Sequence, residues 1–429
     1  MMEQAGWATA YEALIQRIPE HVGRARLILG GFSTCLDRYL SLHHLEAARR
    51  EAVGTPAEAL FLELDRRATS GIGGELFVDW PEGPLWLDRF IQARDALGGS
   101  NSQAAQQLAL LGAPALIAIH ERSAAQLAVI DENVLIATEL GLVPRKSVFP
   151  SDDHTRPAHY IFEYTAGKAI GRRIVPRSTR TIVRFADAEL EHDDVFDQIS
   201  VELAAESGGG IVCGFNGLPS QKLDRELDYA AKVARAWRAR GLELIHFELG
   251  DYPGPALRDR ALAEIGPIAT SMGMSLSELI GLVPELDHIQ EKALRLGDTF
   301  GLSRVCIHAD EWAMVLTHYD PDREREALMM GCLLASTRAA TGHPGVPRKL
   351  PDQARFIDAP FPAFARRDGW EVICCPAPYM AAPVATIGLG DTFLAGTLLV
   401  LSANGPGLST GLARKNIDST PQNKLSHAN

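Results

Sequence analysis

Short apolar runs rich in branched residues recur along this chain, and they constrain its fold more than any other feature. The runs are LILGGF from Leu27, APALIAI from Ala113, GGIVCGF from Gly209, LELIHFEL from Leu242, SRVCIHA from Ser303 and EVICCPA from Glu371. Longer segments with helical spacing separate several of them, such as LDRELDYAAKVARAWRARG before Leu242. This alternation predicts an α/β fold with a central, mostly parallel sheet flanked by helices.

The length of 429 residues predicts a second lobe, because one hydrophobic core usually stops growing at roughly 250–300 residues. Residues 38–86 are rich in polar helix and turn signals, and residues 144–187 read as strands joined by turns. We predict that these two segments form a smaller, discontinuous α/β lid lobe. The larger domain then takes residues 1–37, 87–143 and 188–401, and residues 402–429 have the polar composition of a disordered tail.

Composition and charge exclude several classes of protein. A net charge of −12 argues against binding to a nucleic-acid backbone. The longest apolar segments fall short of the roughly 20 residues of a membrane span, and the first residues, MMEQAGWATAYEALIQRIPE, lack the pattern of a signal peptide. The six cysteines form no CxxC pair, so no disulfide scaffold or zinc site is indicated. We expect a cytoplasmic protein without membrane or nucleic-acid partners, and we make no prediction of its oligomeric state.

Residues 386–400, TIGLGDTFLAGTLLV, combine two glycines and an aspartate with an apolar stretch of buried-helix type. Gly388 and Gly390 allow the backbone to turn tightly, and the unpaired amides at the start of the following helix attract anions. Asp391 at that positive end could take a proton from a hydroxyl group while the amides hold a phosphoryl group. The alternative is that Asp391 only caps the helix.

A second candidate site ends the run LELIHFELGD, where His246 and Glu248 lie two residues apart on a strand and share a face. The carboxyl ends of strands border the ligand crevice of an α/β sheet, which places this pair near a bound nucleotide. Glu248 could then orient magnesium-bound water against phosphates. A purely structural histidine–glutamate pair is the alternative.

Two polar residues near the first strand are candidate contacts for sugar hydroxyls. Asp37 lies in GGFSTCLDRYL, and Asn101 follows a Gly-Gly turn in LGGSNSQAAQQLALLG. A carboxylate and an amide offer complementary acceptors and donors. Each could instead be a cap or turn residue.

Together and in this order, GFSTCLD, GGSNSQAA, YIFEY, STRTIVRF, HFELGD, SMGMSLSEL and TIGLGDTFLAG resemble the ADP-dependent sugar kinases, the glucokinase and phosphofructokinase group of the ribokinase-like superfamily. The resemblance runs from about residue 27 to 400, and its specific parts are the HxE and TxGxGDT motifs. It implies a ribokinase-like domain with a lid lobe that closes over the sugar. It also implies phosphoryl transfer from a nucleotide, ADP with Mg²⁺, to a hydroxyl group of a sugar or sugar phosphate.

The resemblance also assigns roles to individual residues. The implied catalytic base is Asp391, the anion hole is Gly388, Leu389 and Gly390, the metal residues are Glu248 and Glu278, the nucleotide-side residues are His246 and His308, and the sugar-binding residues are Asp37, Asn101, Glu75 and Glu163. The family more commonly has GGNAG where this chain has GGSNSQ. A structural role is the alternative for His308, and an exposed helix carboxylate is the alternative for Glu278.

A group of basic residues in the predicted lid bears on the acceptor. Lys168, Arg172, Arg173, Arg177 and Arg180 could bind the phosphate of a sugar phosphate, which favours that acceptor over free glucose. Alternatively, these cations form a solvated surface. No Walker sequence GxxxxGK[ST] occurs, in agreement with a helix-start anion hole. The competing functions are an ATP-dependent kinase of another hydroxylated metabolite and a catalytically silent sugar-binding homologue.

Overall fold

The computed structural model describes residues 4–90, 93–151, 158–185 and 189–403, and nearly all of the predicted tail lies outside these ranges. The helices are α1 (Gln4–Arg24), α2 (Glu46–Ala52), α3 (Pro56–Thr69), α4 (Gly83–Asp88), α5 (Ser100–Leu111), α6 (Ala124–Ala128), α7 (Asp194–Leu203), α8 (Ser220–Ala239), α9 (Pro255–Ile265), α10 (Leu276–Leu282), α11 (Ile289–Phe300), α12 (Pro321–Thr341) and α13 (Leu389–Leu401).

The strands are β1 (Ile28–Gly30), β2 (Cys35–Ser41), β3 (Gly74–Phe77), β4 (Arg94–Gly98), β5 (Ala115–Ile117), β6 (Leu135–Thr138), β7 (Gly141–Pro144), β8 (His159–Tyr164), β9 (Ala169–Ile170), β10 (Arg173–Ile174), β11 (Thr179–Arg184), β12 (Gly209–Val212), β13 (Ile245–Glu248), β14 (Ser271–Ser275), β15 (Arg304–His308), β16 (Trp312–Thr317), β17 (Phe364–Arg367) and β18 (Trp370–Pro376).

The larger sheet has the order β17-β18-β16-β15-β14-β13-β12-β1-β5-β6-β7. Its centre, from β15 to β6, is parallel, and antiparallel strands close both edges. The strand order reverses beside β1, since β5 lies on one side of it and β12 on the other. Ligand crevices of doubly wound sheets form at the carboxyl ends of strands at such a reversal. The predicted mostly parallel sheet is confirmed.

Both faces of the larger sheet are covered, which explains why its strands read as continuous apolar runs. Neighbouring residues on one strand enter opposite cores: Ile28 packs with the side that contains α1, α5, α12 and α13, whereas Leu29 packs with the side that contains α7 and α8. The apolar helix α13 is buried from Thr392 onwards against α12. Its amino end is thereby fixed at the carboxyl edge of the sheet.

A smaller sheet, which we call the lid sheet, has the order β3-β11-β8-β2-β4. One face packs against α2 and α3 through alternate residues such as Leu36, Tyr160 and Phe162. The residues that alternate with these along each strand, including Asp37 and Ile161, point to the other face and line a cleft.

One predicted boundary of the lid differs from the structure. Residues 87–143 are predicted to lie in the larger domain, whereas Arg94–Gly98 pairs antiparallel with β2 at the edge of the lid sheet. This edge strand, RDALG, carries two charges and one large apolar residue, so its own composition does not mark it as a strand. The division into domains stays a proposal, with residues 94–98 moved to the lid. Within the described ranges, the structure contains no helix with the length and apolarity required to cross a membrane.

Candidate active site

A cleft of about 500 Å³ lies between the carboxyl ends of the parallel strands and the open face of the lid sheet. Segments that follow β1, β5, β12, β13 and β14 contribute to its wall, as does the last residue of β15. Of the residues predicted from sequence, the cleft brings together Asp37, Glu75, Glu248, Glu278, His308 and Gly388 to Asp391. Residues far apart in the chain therefore meet at the edge where the fold predicts a ligand.

The turn before α13 has the geometry expected of an anion site. Gly388 precedes the helix with a φ of 71°, a conformation that favours glycine, and a side chain there would collide with the guanidinium group of Arg338. The first amide to bond inside the helix is that of Thr392, which donates to the carbonyl oxygen of Gly388 at 3.0 Å. The amides of Leu389, Gly390 and Asp391 thus precede the first helical hydrogen bond and border the cleft.

Asp391 lines the cleft in the first turn of α13. Burial raises the pKa of its carboxyl group above the ordinary value, and the negative charges of Glu248 and Asp37 act in the same direction. Arg338 and the side chain of Ser100 oppose this shift. A carboxylate with a raised pKa is a stronger base, which suits proton removal from a hydroxyl group.

Glu248 lies at the end of β13 and is held by two histidines. Its Oε2 atom lies 2.8 Å from Nε2 of His246, and its Oε1 atom lies 3.8 Å from Nε2 of His308. Burial alone would raise the pKa of Glu248, but the interactions with both histidines outweigh it and lower the pKa to about 2. Glu248 therefore presents an ionised carboxylate to the cleft throughout the physiological range.

The two histidines occupy different positions. His246 is 2% exposed and does not line the cleft; its Nδ1 atom lies 2.8 Å from Oγ of Ser271, and its other ring nitrogen contacts Glu248. His246 therefore supports Glu248 from behind the cleft wall, whereas the sequence assigns it to direct contact with the nucleotide. His308 does line the cleft. Although burial lowers its pKa, the charges of Glu248, Glu278 and Asp391 raise it above the ordinary value.

Glu278 closes this side of the cleft at the start of α10. It forms a capping box with Ser275: the amide of Ser275 donates to Oε2 of Glu278 at 2.7 Å, and the amide of Glu278 donates to Oγ of Ser275. Burial, together with the nearby charge of Glu248, raises its pKa. Glu278 is half-buried, so the alternative of an exposed helix carboxylate is wrong.

The lid side of the cleft carries the predicted acceptor residues Asp37 and Glu75. Asp37 is 7% exposed, and its Oδ1 atom lies 3.4 Å from Nδ1 of His159 and 3.7 Å from Sγ of Cys35. Glu75 forms a two-point ion pair with Arg184 of β11, with N–O distances of 2.9 and 3.0 Å. Each carboxylate therefore already has partners on the lid sheet.

Two residues assigned to the sugar lie outside the cleft. Asn101 is fully buried: its amide nitrogen donates to the carbonyl oxygen of Gly30 at 2.8 Å, and its oxygen lies 3.4 Å from Sγ of Cys213. Glu163 is exposed on β8, two residues beyond the cleft residue Ile161. The structure therefore does not support either residue as a sugar contact.

The basic residues of the lid also divide into two groups. Lys168, Arg172, Arg173 and Arg177 are exposed and lie outside the cleft wall. Arg180 lines the cleft, as does Arg184, which the sequence did not single out. Every second residue of β11 points to the cleft, and Arg180 and Arg184 are both among these residues.

Comparison with known proteins places these features in a family. Residues 58–400 match the model of the ADP-specific phosphofructokinase/glucokinase conserved region. The chain belongs to this family. The predicted family, the ribokinase-like α/β fold and the assignment as an ADP-dependent sugar kinase are confirmed by this match and its relatives.

The relatives of this family member include both kinds of kinase. An ADP-specific phosphofructokinase of Pyrococcus abyssi is 26% identical over 362 residues, which cover 73% of this chain and 80% of the relative. An ADP-dependent glucose/glucosamine kinase of Pyrococcus furiosus is 21% identical over 448 residues, which cover 90% of this chain and 96% of the relative.

Solved structures support the fold of the family member. The structure of an ADP-dependent kinase in complex with fructose 6-phosphate and ADPβS has a TM-score of 0.75 and 17% identity, covering 94% of this chain and 99% of that one. A hypothetical ADP-dependent phosphofructokinase from Pyrococcus horikoshii has a TM-score of 0.72 and 18% identity, covering 89% and 98%.

Several cleft or support residues of this ADP-dependent sugar kinase carry no local sequence signal. Arg338 on α12 lies against the turn at Gly388 and donates to Oγ1 of Thr392 at 3.0 Å and to Oε1 of Gln103 at 2.7 Å. No motif surrounds it in the sequence. Helical spacing alone identifies Ser100 and Gln103 as neighbours, because residues three apart lie on one helix face. Both line the cleft, whereas Asn101 lies on another face of the helix.

Proposed function

We propose that this family member transfers the terminal phosphoryl group of ADP to a hydroxyl group of a sugar that already carries a phosphate. The observation that carries the proposal is Arg180, which lines the acceptor side of the cleft. Its Nε atom is buried and has no hydrogen-bond partner among the described residues. An unpaired buried donor on a cation is costly, and a phosphate oxygen would satisfy it with a charge-assisted hydrogen bond.

The proposed reaction uses the two sides of the cleft together. The sugar oxygen attacks the β-phosphorus of ADP, its proton passes to the carboxylate of Asp391, and the bond to the bridging oxygen breaks so that AMP leaves. The amides of Leu389 and Gly390 would donate to the phosphoryl oxygens, where negative charge is concentrated. The half-buried position of Asp391 supports its role as base, since water around it is limited.

The Mg²⁺ ion implied by the family has a matching set of donors here. Glu248, with a pKa of about 2, is ionised, and Glu278 lines the same part of the cleft. Carboxylate oxygens together with substrate phosphates are the ligands that Mg²⁺ prefers. We propose that these two glutamates hold the ion directly or through water, and that the ion neutralises charge on the phosphates when bound. His246 fixes the carboxylate of Glu248 in place.

A kinase that acts on an unphosphorylated sugar is the second candidate. The carboxylate of Glu75 lines the acceptor side, and carboxylates accept hydrogen bonds from sugar hydroxyls. The ion pair of Glu75 with Arg184 reduces the positive charge available to a phosphate. Arg180 remains for that purpose, and we therefore favour the phosphorylated acceptor.

An acceptor panel tests the proposal. Fructose 6-phosphate, fructose and glucose are each incubated with ADP or ATP in the presence of Mg²⁺, and formation of AMP or ADP is measured. We expect the highest kcat/KM with fructose 6-phosphate and ADP. A higher kcat/KM with glucose would favour the second candidate, and turnover with ATP alone would overturn the donor assignment.

We also place the enzyme in the cytoplasm, in contact with its sugar and nucleotide substrates. All six cysteines lie in the described residues and are free thiols, which agrees with a reducing compartment. Measurement of the protein in fractionated cells would test the location.

A further inference from the structure

Three side chains on the lid side of the cleft bring sulfur, nitrogen and oxygen ligands into one cluster. Cys35, Asp37 and His159 place Sγ, Oδ and ring-nitrogen atoms all within 4.8 Å of one another. Cys35 and Asp37 lie two residues apart on β2, so their side chains share a face. His159 is the direct partner of Asp37 in the parallel pairing of β8 with β2. The register of two strands therefore builds the cluster.

The separations fit a tetrahedral metal ion. With bonds of about 2.3 Å to sulfur and about 2.0–2.2 Å to nitrogen and oxygen, neighbouring ligands of a tetrahedral zinc ion stand about 3.3–3.6 Å apart. The observed distances are 3.4 Å from Asp37 to His159 and 3.7 Å from Asp37 to Cys35. These two separations differ from the tetrahedral values by no more than a few tenths of an ångström, and the sulfur and ring-nitrogen atoms lie within 4.8 Å of each other.

The backbone opposite the cluster leaves room for it. Gly98 of β4 is the antiparallel partner of Cys35, and a Cβ atom there would collide with both Asp37 and Cys35. All three ligand residues also line the cleft, so the fourth ligand of a bound ion would come from the cleft side. Three protein ligands with one open position are the arrangement of accessible zinc sites, in contrast to closed structural sites.

We propose that Cys35, Asp37 and His159 bind Zn²⁺, and that the bound ion blocks the acceptor half of the cleft. A thiolate and an imidazole select zinc over magnesium, which prefers oxygen ligands. The ion would occupy the carboxylate of Asp37, which the family resemblance assigns to the sugar. The inhibition, which rests on the proposed function, is therefore competitive with the acceptor and not with ADP. Ligand spacing in the sequence indicates no zinc site, because the ligands come from two strands.

Metal binding is tested first, without any measurement of turnover. The purified full chain is freed of metal with a chelator and titrated with Co²⁺, which gives a sulfur-to-cobalt charge-transfer band when a thiolate is a ligand. We expect the band in the wild type and in Cys374→Ala, whose thiol is buried in the core, and its loss in Cys35→Ser. The same band in Cys35→Ser, or no band in the wild type, would overturn the site.

Zinc affinity is then measured by competition with a chromophoric chelator. We expect His159→Gln and Cys35→Ser to weaken Zn²⁺ binding by at least about tenfold, since even the loss of an indirect support of a metal ligand costs this much. His343→Gln, an exposed histidine away from the cleft, is the matched control and should bind as the wild type does. Equal affinity in all variants would overturn the proposal.

Inhibition is measured last, with the acceptor and donor identified by the panel above. Zn²⁺ should raise the apparent KM for the acceptor and leave the KM for ADP unchanged, and Cys35→Ser should require at least about tenfold more Zn²⁺ for the same effect. Inhibition competitive with ADP would overturn the proposed blockage. If no acceptor is phosphorylated, the proposed function fails, whereas the cobalt and zinc titrations still decide the metal site.

Discussion

The two walls of the cleft differ in how firmly their charged groups are held. On the larger sheet, Glu248 is fixed by a buried histidine that is itself held by Ser271, and the turn at Gly388 packs against the buried Arg338. On the lid sheet, the strands pack against helices on one face only, and Arg180 has a buried Nε atom without a hydrogen-bond partner among the described residues. The Nε atom of Arg338 lacks a partner too, but its other two nitrogens donate to Thr392 and Gln103. The side chains of the larger sheet are thus held in place before substrate binds, whereas Arg180 on the lid sheet has a donor left for a ligand.

The strongest test of this contrast removes the base from the preorganised wall. Asp391→Asn keeps the shape of the side chain but cannot accept the hydroxyl proton, so we expect kcat to fall by roughly 10²–10⁴-fold. Affinity for ADP, measured by calorimetry, should change little. Asp322→Asn, an exposed aspartate in the first turn of α12, is the control. Near-normal turnover of Asp391→Asn would refute the role of this carboxylate.

The second test addresses the lid wall, where Arg180 is the proposed contact of the acceptor phosphate. Arg180→Ala should lower kcat/KM for fructose 6-phosphate by about 10–150-fold, the equivalent of about 1.5–3 kcal/mol for hydrogen bonds to a charged group. Any turnover of an unphosphorylated sugar should be much less affected. Arg173→Ala removes an exposed lid arginine outside the cleft wall and serves as the control. Equal losses with both kinds of acceptor would argue against a phosphate contact.

A third test asks whether Asn101 stabilises the fold or binds the acceptor. Asn101→Ala leaves the carbonyl oxygen of Gly30 without its partner, and we expect the free energy of unfolding in urea to fall by about 1–3 kcal/mol. The KM for the acceptor should remain within about twofold. Asn133→Ala, an exposed asparagine, is the control. A large rise in KM with unchanged stability would restore Asn101 as a sugar contact.

The smallest effect concerns the pH profile. The proposed base, Asp391, must be deprotonated to accept a proton, so we expect activity above its pKa and loss of activity as the pH falls through that pKa. Arg338 lowers the pKa of Asp391, and Arg338→Gln should therefore move the acid limb of kcat/KM to higher pH. Arg348→Gln, an exposed arginine, should leave the limb in place. A shift to lower pH would contradict the assignment of the limb to Asp391.

The sequence predicted the preorganised wall better than the lid. The motifs around Glu248 and Asp391 are local, because a strand end and a helix start each place their residues over a few positions. The sequence assigns Asn101 to the sugar, whereas its side chain points to β1 and the cleft is lined by Ser100 and Gln103 of the same helix.

The lid depends on contacts that local patterns do not contain. Alternation along β8 places Glu163 on the same face as the cleft residue Ile161. It does not show that Glu163 lies beyond the cleft and is exposed. The pairing of Asp37 with His159 follows from the register of β2 and β8, which the sequence does not specify. Arg338 likewise reaches the site only through the packing of α12 on α13.

Two of the chain crossings between the sheets lie side by side, one between Gly30 and Cys35 and the other between Gly98 and Ser100. They touch at Gly99, whose φ of 91° and contact with the carbonyl group of Ser33 leave no space for a side chain. The crossings lead directly to Asp37 and to Ser100, whose side chain lowers the pKa of Asp391. The turn at Gly99 thus sets the spacing of the two cleft walls where Asp37 and Ser100 enter them, and a residue larger than glycine at position 99 would displace both segments.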